Sequence, residues 1–409
     1  MEPNQNDNQQ ENPQTQPQEE EWDESLFESN WNEQVEKFED MGLKKDLLRG
    51  IFGYGFETPS VIQQKAIIPL TQKKDIIAQA QSGSGKTATF SIGMLQNVDN
   101  QDLKLQALVV APTRELADQI YNVVSSLGTF LGIKVALIIG GTEVKRDRMK
   151  LKEGCHVIVG TPGRINDLIS KKHMNVDFLK MLIVDEADEM LGLGFLEQIN
   201  EIIKTIPPVC QIALFSATIS PEIIKLTENI MEDPVKILVK KENLTLEGIK
   251  QYYVSCQNEE SKYDTLFEVF GNIDLAQCFI YVNTKEKAEK LAERMTESGF
   301  QVGCIHGKME QEARNNIMRQ FREGAVRILI STDLTGRGID VHQVGLVINF
   351  ELPNKKESYI HRIGRSGRYG RRGVSINLVS YHELTQMTKI QEFYNTQIID
   401  LPSDLSQIE

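Results

Sequence analysis

Short apolar runs recur along this chain at a spacing that fits buried strands alternating with helices, and the pattern occurs twice. The first set comprises 75–80, 105–111, 135–139, 156–160, 181–184, 211–216 and 235–239. The second comprises 249–255, 278–282, 302–305, 327–331, 346–350 and 375–379. Runs that short and that apolar suit strands covered on both faces, as in parallel sheets, with helical patterns between them. The polar joint Lys240-Lys241-Glu242-Asn243 separates the sets. A chain of 409 residues also exceeds one ordinary core. The expected fold class is α/β, with two doubly wound parallel-sheet domains at 28–239 and 248–409 and a short linker at 240–247. Nearly every run ends in a Gly-, Thr- or charge-rich loop. If the two sheets present those ends to one another, the site is the cleft between the domains.

Residues 1–27 are an acidic, Gln/Asn-rich tail, too poor in apolar side chains to order itself. The tail also explains a misleading net charge of −13. Residues 1–40 hold 13 acidic residues against Lys37 alone, so the remaining chain is close to neutral. A local basic groove is compatible with that balance; an indiscriminately basic nucleic-acid binder is not. No apolar run approaches a membrane span, and no signal peptide is expected. The cysteines at 155, 210, 256, 278 and 304 lack metal-binding or disulfide spacing and read as buried thiols.

Two stretches carry chemistry. In Ala80-Gln81-Ser82-Gly83-Ser84-Gly85-Lys86-Thr87 a glycine-rich loop joins a strand run to a helix. Backbone N–H groups of Ser82, Gly83, Ser84 and Gly85, with the helix N-terminus, would cradle phosphates. Lys86 would reach the β- and γ-phosphates of a nucleotide, and Thr87 would help hold Mg²⁺. A flexible Gly/Ser turn is the alternative, but it leaves Lys-Thr at the helix start unexplained. In the second stretch, Met181-Leu182-Ile183-Val184 runs straight into Asp185-Glu186-Ala187-Asp188. Acids before alanine also make a good helix start, so this stretch alone leaves capping and function equally open. A phosphate loop requires an acidic strand end on a neighbouring strand. With that requirement, Asp185 is the metal carboxylate, acting mainly through water, and Glu186 orients and deprotonates the attacking water.

Asp185-Glu186-Ala187-Asp188 resembles the name-giving motif of the DEAD-box ATP-dependent RNA helicases, and other motifs follow in that family's order across 38–380. The resemblance implies RecA-like domains and a set of residue roles. Gln63, within Pro59-Ser60-Val61-Ile62-Gln63, would read the adenine edge, and Phe38, seventeen residues before Gly55, would stack on its face. Pro112, Thr113 and Arg114, then Gly140 and Gly141, then Thr161, Pro162, Gly163 and Arg164 would follow the RNA backbone. In the second domain Gln311, Arg314 and Thr332 would do the same. Asp188, Ser216, Thr218 and His361 would couple nucleotide state to RNA. Asp340 would reach the ribose, and Arg365 and Arg368, in His361-Arg362-Ile363-Gly364-Arg365-Ser366-Gly367-Arg368, would stabilise the γ-phosphate as arginine fingers. Taken singly, these residues also read as helix caps, surface arginines and, for Phe38, a core ring.

The activity so implied is RNA-stimulated ATP hydrolysis with local, non-processive duplex unwinding. Residues 28–33, 238–242, 244–249 and 393–396 resemble the family's translation-initiation branch. That branch implies a cytoplasmic monomer in a larger complex, acting on messenger 5′ regions with a scaffold subunit and RNA-binding stimulators, and no membrane partner. An ATP-gated RNA clamp of the exon-junction type, or another paralogue, is the alternative. Gly192-Leu193 stand where Ser-Arg is usual, and Thr335-Gly336 where Leu-Ala is usual.

Overall fold

The computed structural model describes residues 27–80, 83–239, 249–273, 277–333, 344–366 and 373–402. Its strands are β1 (Phe27–Ser29), β2 (Ile76–Gln79), β3 (Ala107–Val110), β4 (Val135–Ile138), β5 (Val157–Gly160), β6 (Met181–Val184), β7 (Gln211–Ser216) and β8 (Val235–Val239). After these come β9 (Ile249–Cys256), β10 (Gln277–Val282), β11 (Val302–Ile305), β12 (Ile328–Thr332), β13 (Val344–Asn349), β14 (Gly373–Ser380) and β15 (Ile399–Asp400). The first sheet runs β1-β8-β2-β7-β6-β3-β5-β4 and the second β11-β12-β10-β13-β14-β9-β15. All pairings are parallel except β1 against β8, where Phe27 faces Val239 and Ser29 faces Ile237.

Alternate residues of each strand feed opposite layers. In β6, Met181 and Ile183 join one apolar cluster while Leu182 and Val184 join another. In β10, Ile280 and Val282 face one layer, and Phe279 and Tyr281 the other. Each sheet is thus covered by helices on both faces and forms a RecA-like domain. No core cluster contains residues of both sheets.

Two edge strands, β1 and β15, have no counterpart in the apolar pattern. At three and two residues they are too short for a periodicity to register. The strand order corrects a further expectation. The acidic strand is not beside the phosphate-loop strand: β7 lies between β2 and β6. Lys86 spans that gap, and the end of β7 is thereby placed in the middle of the site. Because the strands are parallel, their carboxyl ends gather the motif-bearing loops on one side.

Candidate nucleotide and RNA site in the inter-domain cleft

The phosphate loop leaves β2 and turns through Gly83 and Gly85, at φ +87 and +95. Left-handed backbone of this kind is accessible to glycine without a Cβ penalty. The helix Lys86–Asn97 follows. Ser82 lies outside the described residues. A Cβ at Gly85 would stand 2.7 Å from Gln63 Nε2 and 2.9 Å from Ser60 Oγ, so glycine is required on both counts. Gln63 is buried and serves the loop: its Oε1 accepts from Ser60 N at 2.8 Å, and Ser60 Oγ donates to Ser84 O at 2.8 Å. Phe38 requires a correction. It is 0 % exposed and makes a T-shaped contact with Phe52, ring centroids 6.4 Å apart, so the fold offers no free face of this ring for stacking.

Lys86 Nζ donates to Glu186 Oε1 at 3.2 Å, both side chains being buried. Glu186 has φ 51 and ψ 54, a left-handed conformation that is uncommon for a side chain of this size. That kink ends β6 and starts the helix Ala187–Gly192. Burial, reinforced by the Glu186 charge, pushes the Asp185 carboxyl up. Burial also acts against ionised Glu186, but Lys86 and His361 outweigh it and hold that carboxyl below its usual range. Two adjacent acids are thus driven apart, one resisting and one favouring ionisation. Glu186 Oε2 is buried without a hydrogen-bond partner.

Asp188 is the most fully engaged of the acids. Its Oδ2 accepts from Thr218 N at 2.9 Å and Thr218 Oγ1 at 2.6 Å, and His361 Nε2 lies 3.3 Å away. Asp188 N donates to Ser216 Oγ at 3.2 Å, and Ser216 Oγ donates to Thr218 O. Burial opposes its charge, yet His361 and Thr218 hold it well below the usual carboxylate range. Glu186, Asp188 and His361 bring ligand-type atoms within 4.8 Å of one another. Asp188 Oδ2 is already filled by donors, so the hydrogen bond of His361 Nε2 to it links the two domains, while His361 Nδ1 faces Glu186 Oε2 at 3.9 Å. Arg365 is buried beside it, its Nε donating to His361 O at 3.0 Å. Asp340 and Arg368 lie outside the described residues.

An open cleft is lined by Pro112, Thr113, Arg114, Gly140, Thr161, Gly163, Arg164 and Arg314. Thr113 caps the helix Arg114–Leu127, its hydroxyl accepting from Leu116 N, and Thr161 precedes the helix Pro162–Ser170, which Pro162 opens. Thr161 Oγ1 instead accepts from Gly140 N at 3.1 Å. Gly141 has φ +81, and a Cβ there would collide with the Arg114 guanidinium. Arg114 Nη1 donates across the cleft to Gln311 Oε1 at 2.8 Å. Thr332 ends β12 and is buried.

Two of the cleft's arginines are each paired with an acid. Arg164 is ion-paired with the buried Asp147 and donates to Thr142 O at 2.8 Å. Arg314 is ion-paired with buried Glu115 at 2.6 Å. Sequence reasoning missed Glu115, Asp147 and also Arg362. Arg362 is 0 % exposed and donates to Asp333, Asn349, Glu351 O and Asn283. Only its place three residues before Arg365 was visible in advance, and nothing there marks it as the buried one.

Family models for the DEAD/DEAH box helicase and for the helicase conserved C-terminal domain match residues 60–226 and 261–370. The chain is 50% identical over 385 residues to the "Eukaryotic initiation factor 4A" of Caenorhabditis elegans, covering 94% of this chain and 96% of that one. It is 51% identical over 371 residues to the "ATP-dependent RNA helicase FAL1" of Meyerozyma guilliermondii, covering 91% and 94%. Among solved structures, S. cerevisiae Dbp5 bound to RNA and ADP BeF3 superposes with a TM-score of 0.86 at 34% identity, covering 91% and 98%. A point variant of the same yeast protein, bound to Nup159, a Gle1 variant, IP6 and ADP, gives 0.61 at 34% identity, covering 89% and 96%. Motif order, two-domain fold and relatedness over nearly the whole length agree, and the chain belongs to the DEAD-box family of ATP-dependent RNA helicases.

Proposed function

We propose that this helicase works by a composite site in which each domain supplies half, domain 28–239 carrying Lys86, Asp185 and Glu186 and domain 248–409 carrying His361 and Arg365. Lys86, Thr87 and Gly83–Gly85 hold the phosphates of ATP, and Gln63 orients the adenine. The hydroxyl of Thr87 and the carboxylate of Asp185 are hard oxygen donors, a pair that fits Mg²⁺ held mainly through water. When bound, the ion would neutralise charge on the phosphates. Glu186, kept ionised by Lys86 and His361, takes the proton of the attacking water through Oε2, which makes no hydrogen bond and faces His361 Nδ1 at 3.9 Å. Arg365, with Arg368, stabilises the charge that develops on the transferred group.

The observation that carries this reading is the contact of His361 with Asp188 at 3.3 Å. It joins the two halves and leads, through Thr218 and Ser216, to the end of β7. ATP and RNA then favour the same closed arrangement, each raising the affinity of the other. The closer fit to Dbp5 with RNA and ADP BeF3 than to Dbp5 with Nup159, Gle1, IP6 and ADP supports this as the RNA-gripping state. A closed track that bends one strand excludes the duplex, so unwinding is local. The test is RNA-stimulated ATPase and short-duplex unwinding, wild type against Glu186→Gln. The variant should still bind ATP and RNA but turn over about 100-fold more slowly or worse. Wild-type turnover indifferent to RNA would sink the proposal.

The likeness to initiation factor 4A of C. elegans supports a cytoplasmic role on messenger 5′ regions, with a scaffold subunit and RNA-binding stimulators as partners. The equal likeness to FAL1 favours a second reading, another branch of RNA metabolism. Addition to a translation extract depleted of initiation factor 4A separates them. Restored ribosome attachment supports the first, and its absence the second.

A further inference from the structure

The cleft holds less free positive charge than its three arginines suggest, since Arg164 and Arg314 are neutralised by Asp147 and Glu115. The uncompensated cations lie just beside it, on the helix Val144–Glu153. Val144 lines the cleft, and the helix connects β4, the edge strand of the first sheet, to β5. Its sequence is Val-Lys-Arg-Asp-Arg-Met-Lys-Leu-Lys-Glu. Asp147 is turned inward to Arg164, and Leu151 packs on the core. Arg146 is paired with Glu143, and Lys150 Nζ donates to Leu137 O. Lys145, Arg148 and Lys152 are exposed and make no ion pair among the described residues.

The placement runs against helix electrostatics. Cations near the C-terminus, such as Lys150 and Lys152, are favoured by the helix dipole. Lys145 and Arg146 sit in the first turn, at the positive end, where the dipole disfavours them. A locally unfavourable arrangement of this kind, beside a binding cleft and in a chain whose body is close to neutral, points to a ligand and not to stability. The ligand must be anionic and extended. Lys145 to Lys152 spans about 10 Å of helix axis, or about three phosphates of a stacked single strand.

We infer that the helix Val144–Glu153 continues the RNA track beyond the cleft, with Lys145, Arg148 and Lys152 each meeting a backbone phosphate of a strand that already occupies Arg114, Gly140 and Thr161. The inference rests on the assignment of that cleft to RNA. The contacts are to phosphate alone, so they lengthen the footprint without adding sequence preference.

The test replaces Lys145, Arg148 and Lys152 together by Gln in the full chain, a change that keeps helix propensity. Binding of single-stranded RNAs of about six and about twenty nucleotides is measured against salt, with an ATP analogue present. The variant should bind the short RNA as the wild type does. It should bind the long one more weakly at low salt, with a salt slope reduced by about 2. RNA-independent ATPase should not change. Unaltered affinity and slope for the long RNA would overturn the inference, as would an equal loss on both RNAs. It would also fail if removing residues 1–26 tightened long-RNA binding in the wild type but not in the variant, because the helix would then be holding the acidic tail. Arg114→Gln provides the separate control. It should weaken both RNAs, and full retention there would count against the cleft assignment itself.

Discussion

Arg362 and Arg365 stand three residues apart in one glycine-punctuated motif, and both are buried, yet they serve different ends. Arg362 spends its guanidinium inside the second domain, on Asp333, Asn349, Asn283 and the carbonyl of Glu351, with Tyr281 5.2 Å beneath it. A lysine cannot reproduce that planar fork. Arg362→Lys should therefore destabilise the second domain by about 3 kcal/mol, read as a lower midpoint in denaturant unfolding. Arg365→Lys should leave that midpoint alone. Arg365→Ala should leave ATP binding largely intact while cutting RNA-stimulated turnover by about 1,000-fold. A variant with near-normal turnover would contradict the two-sided site. Sequence spacing identifies several arginines able to converge on one anion. Which of them is claimed by neighbouring side chains depends on Asn283, Asp333 and Asn349, scattered over the second half of the chain, and is legible only in three dimensions. The same holds for Phe38, whose spacing suited a stacking role that its burial denies.

At the scale of elements, the apolar runs located nearly every strand, because a strand covered on both faces has to be apolar throughout. Their order was not legible: no local signal says that β7 intervenes between β2 and β6, although that placement lets Ser216 and Thr218 hold Asp188. Helix-end chemistry was partly visible. The 3₁₀ turn Tyr381–Glu383 after β14 has Glu383 accepting from Ser380 N at 2.8 Å and Ser380 Oγ at 2.7 Å, with Lys262 Nζ at 2.5 Å. Burial disfavours the Glu383 charge, but Lys262 and Ser380 outweigh it and lower its pKa. A depressed carboxylate stabilises the fold at pH above its unfolded value and loses that contribution as pH falls through the folded one. The second domain should accordingly soften on acidification below the ordinary glutamate range of about 4.3. Glu383→Gln should cost about 2 kcal/mol at neutral pH and flatten that part of the pH dependence, as thermal unfolding across pH would show. An identical pH profile in wild type and variant would assign the effect elsewhere.

Across the whole molecule, the two domains meet through polar contacts while each keeps its apolar core to itself. Arg314 pairs with Glu115 at 2.6 Å, Arg114 with Gln311 at 2.8 Å, His361 with Asp188 at 3.3 Å, and Lys355 Nζ donates to Gly192 O at 2.9 Å. An interface of that kind can open without exposing a core, which is what a cycle of closure and release requires. The Glu115–Arg314 pair is the most revealing of these links, because both partners are buried and each belongs to a stretch that faces the RNA cleft. Breaking it from one side leaves a buried charge uncompensated in the closed form only, so the cost falls on closure and not on either domain. Glu115→Gln should leave the RNA-free affinity for ATP unchanged while reducing the enhancement of RNA binding by an ATP analogue about 10-fold, within the usual range of coupling energies. Joining Arg314→Met to Glu115→Gln should recover part of that enhancement, since no unpaired charge then remains. The double variant is the decisive arm. If it couples ATP to RNA no better than Glu115→Gln alone, the pair acts through direct RNA contact by Arg314. Recovery means that it acts by closing the cleft.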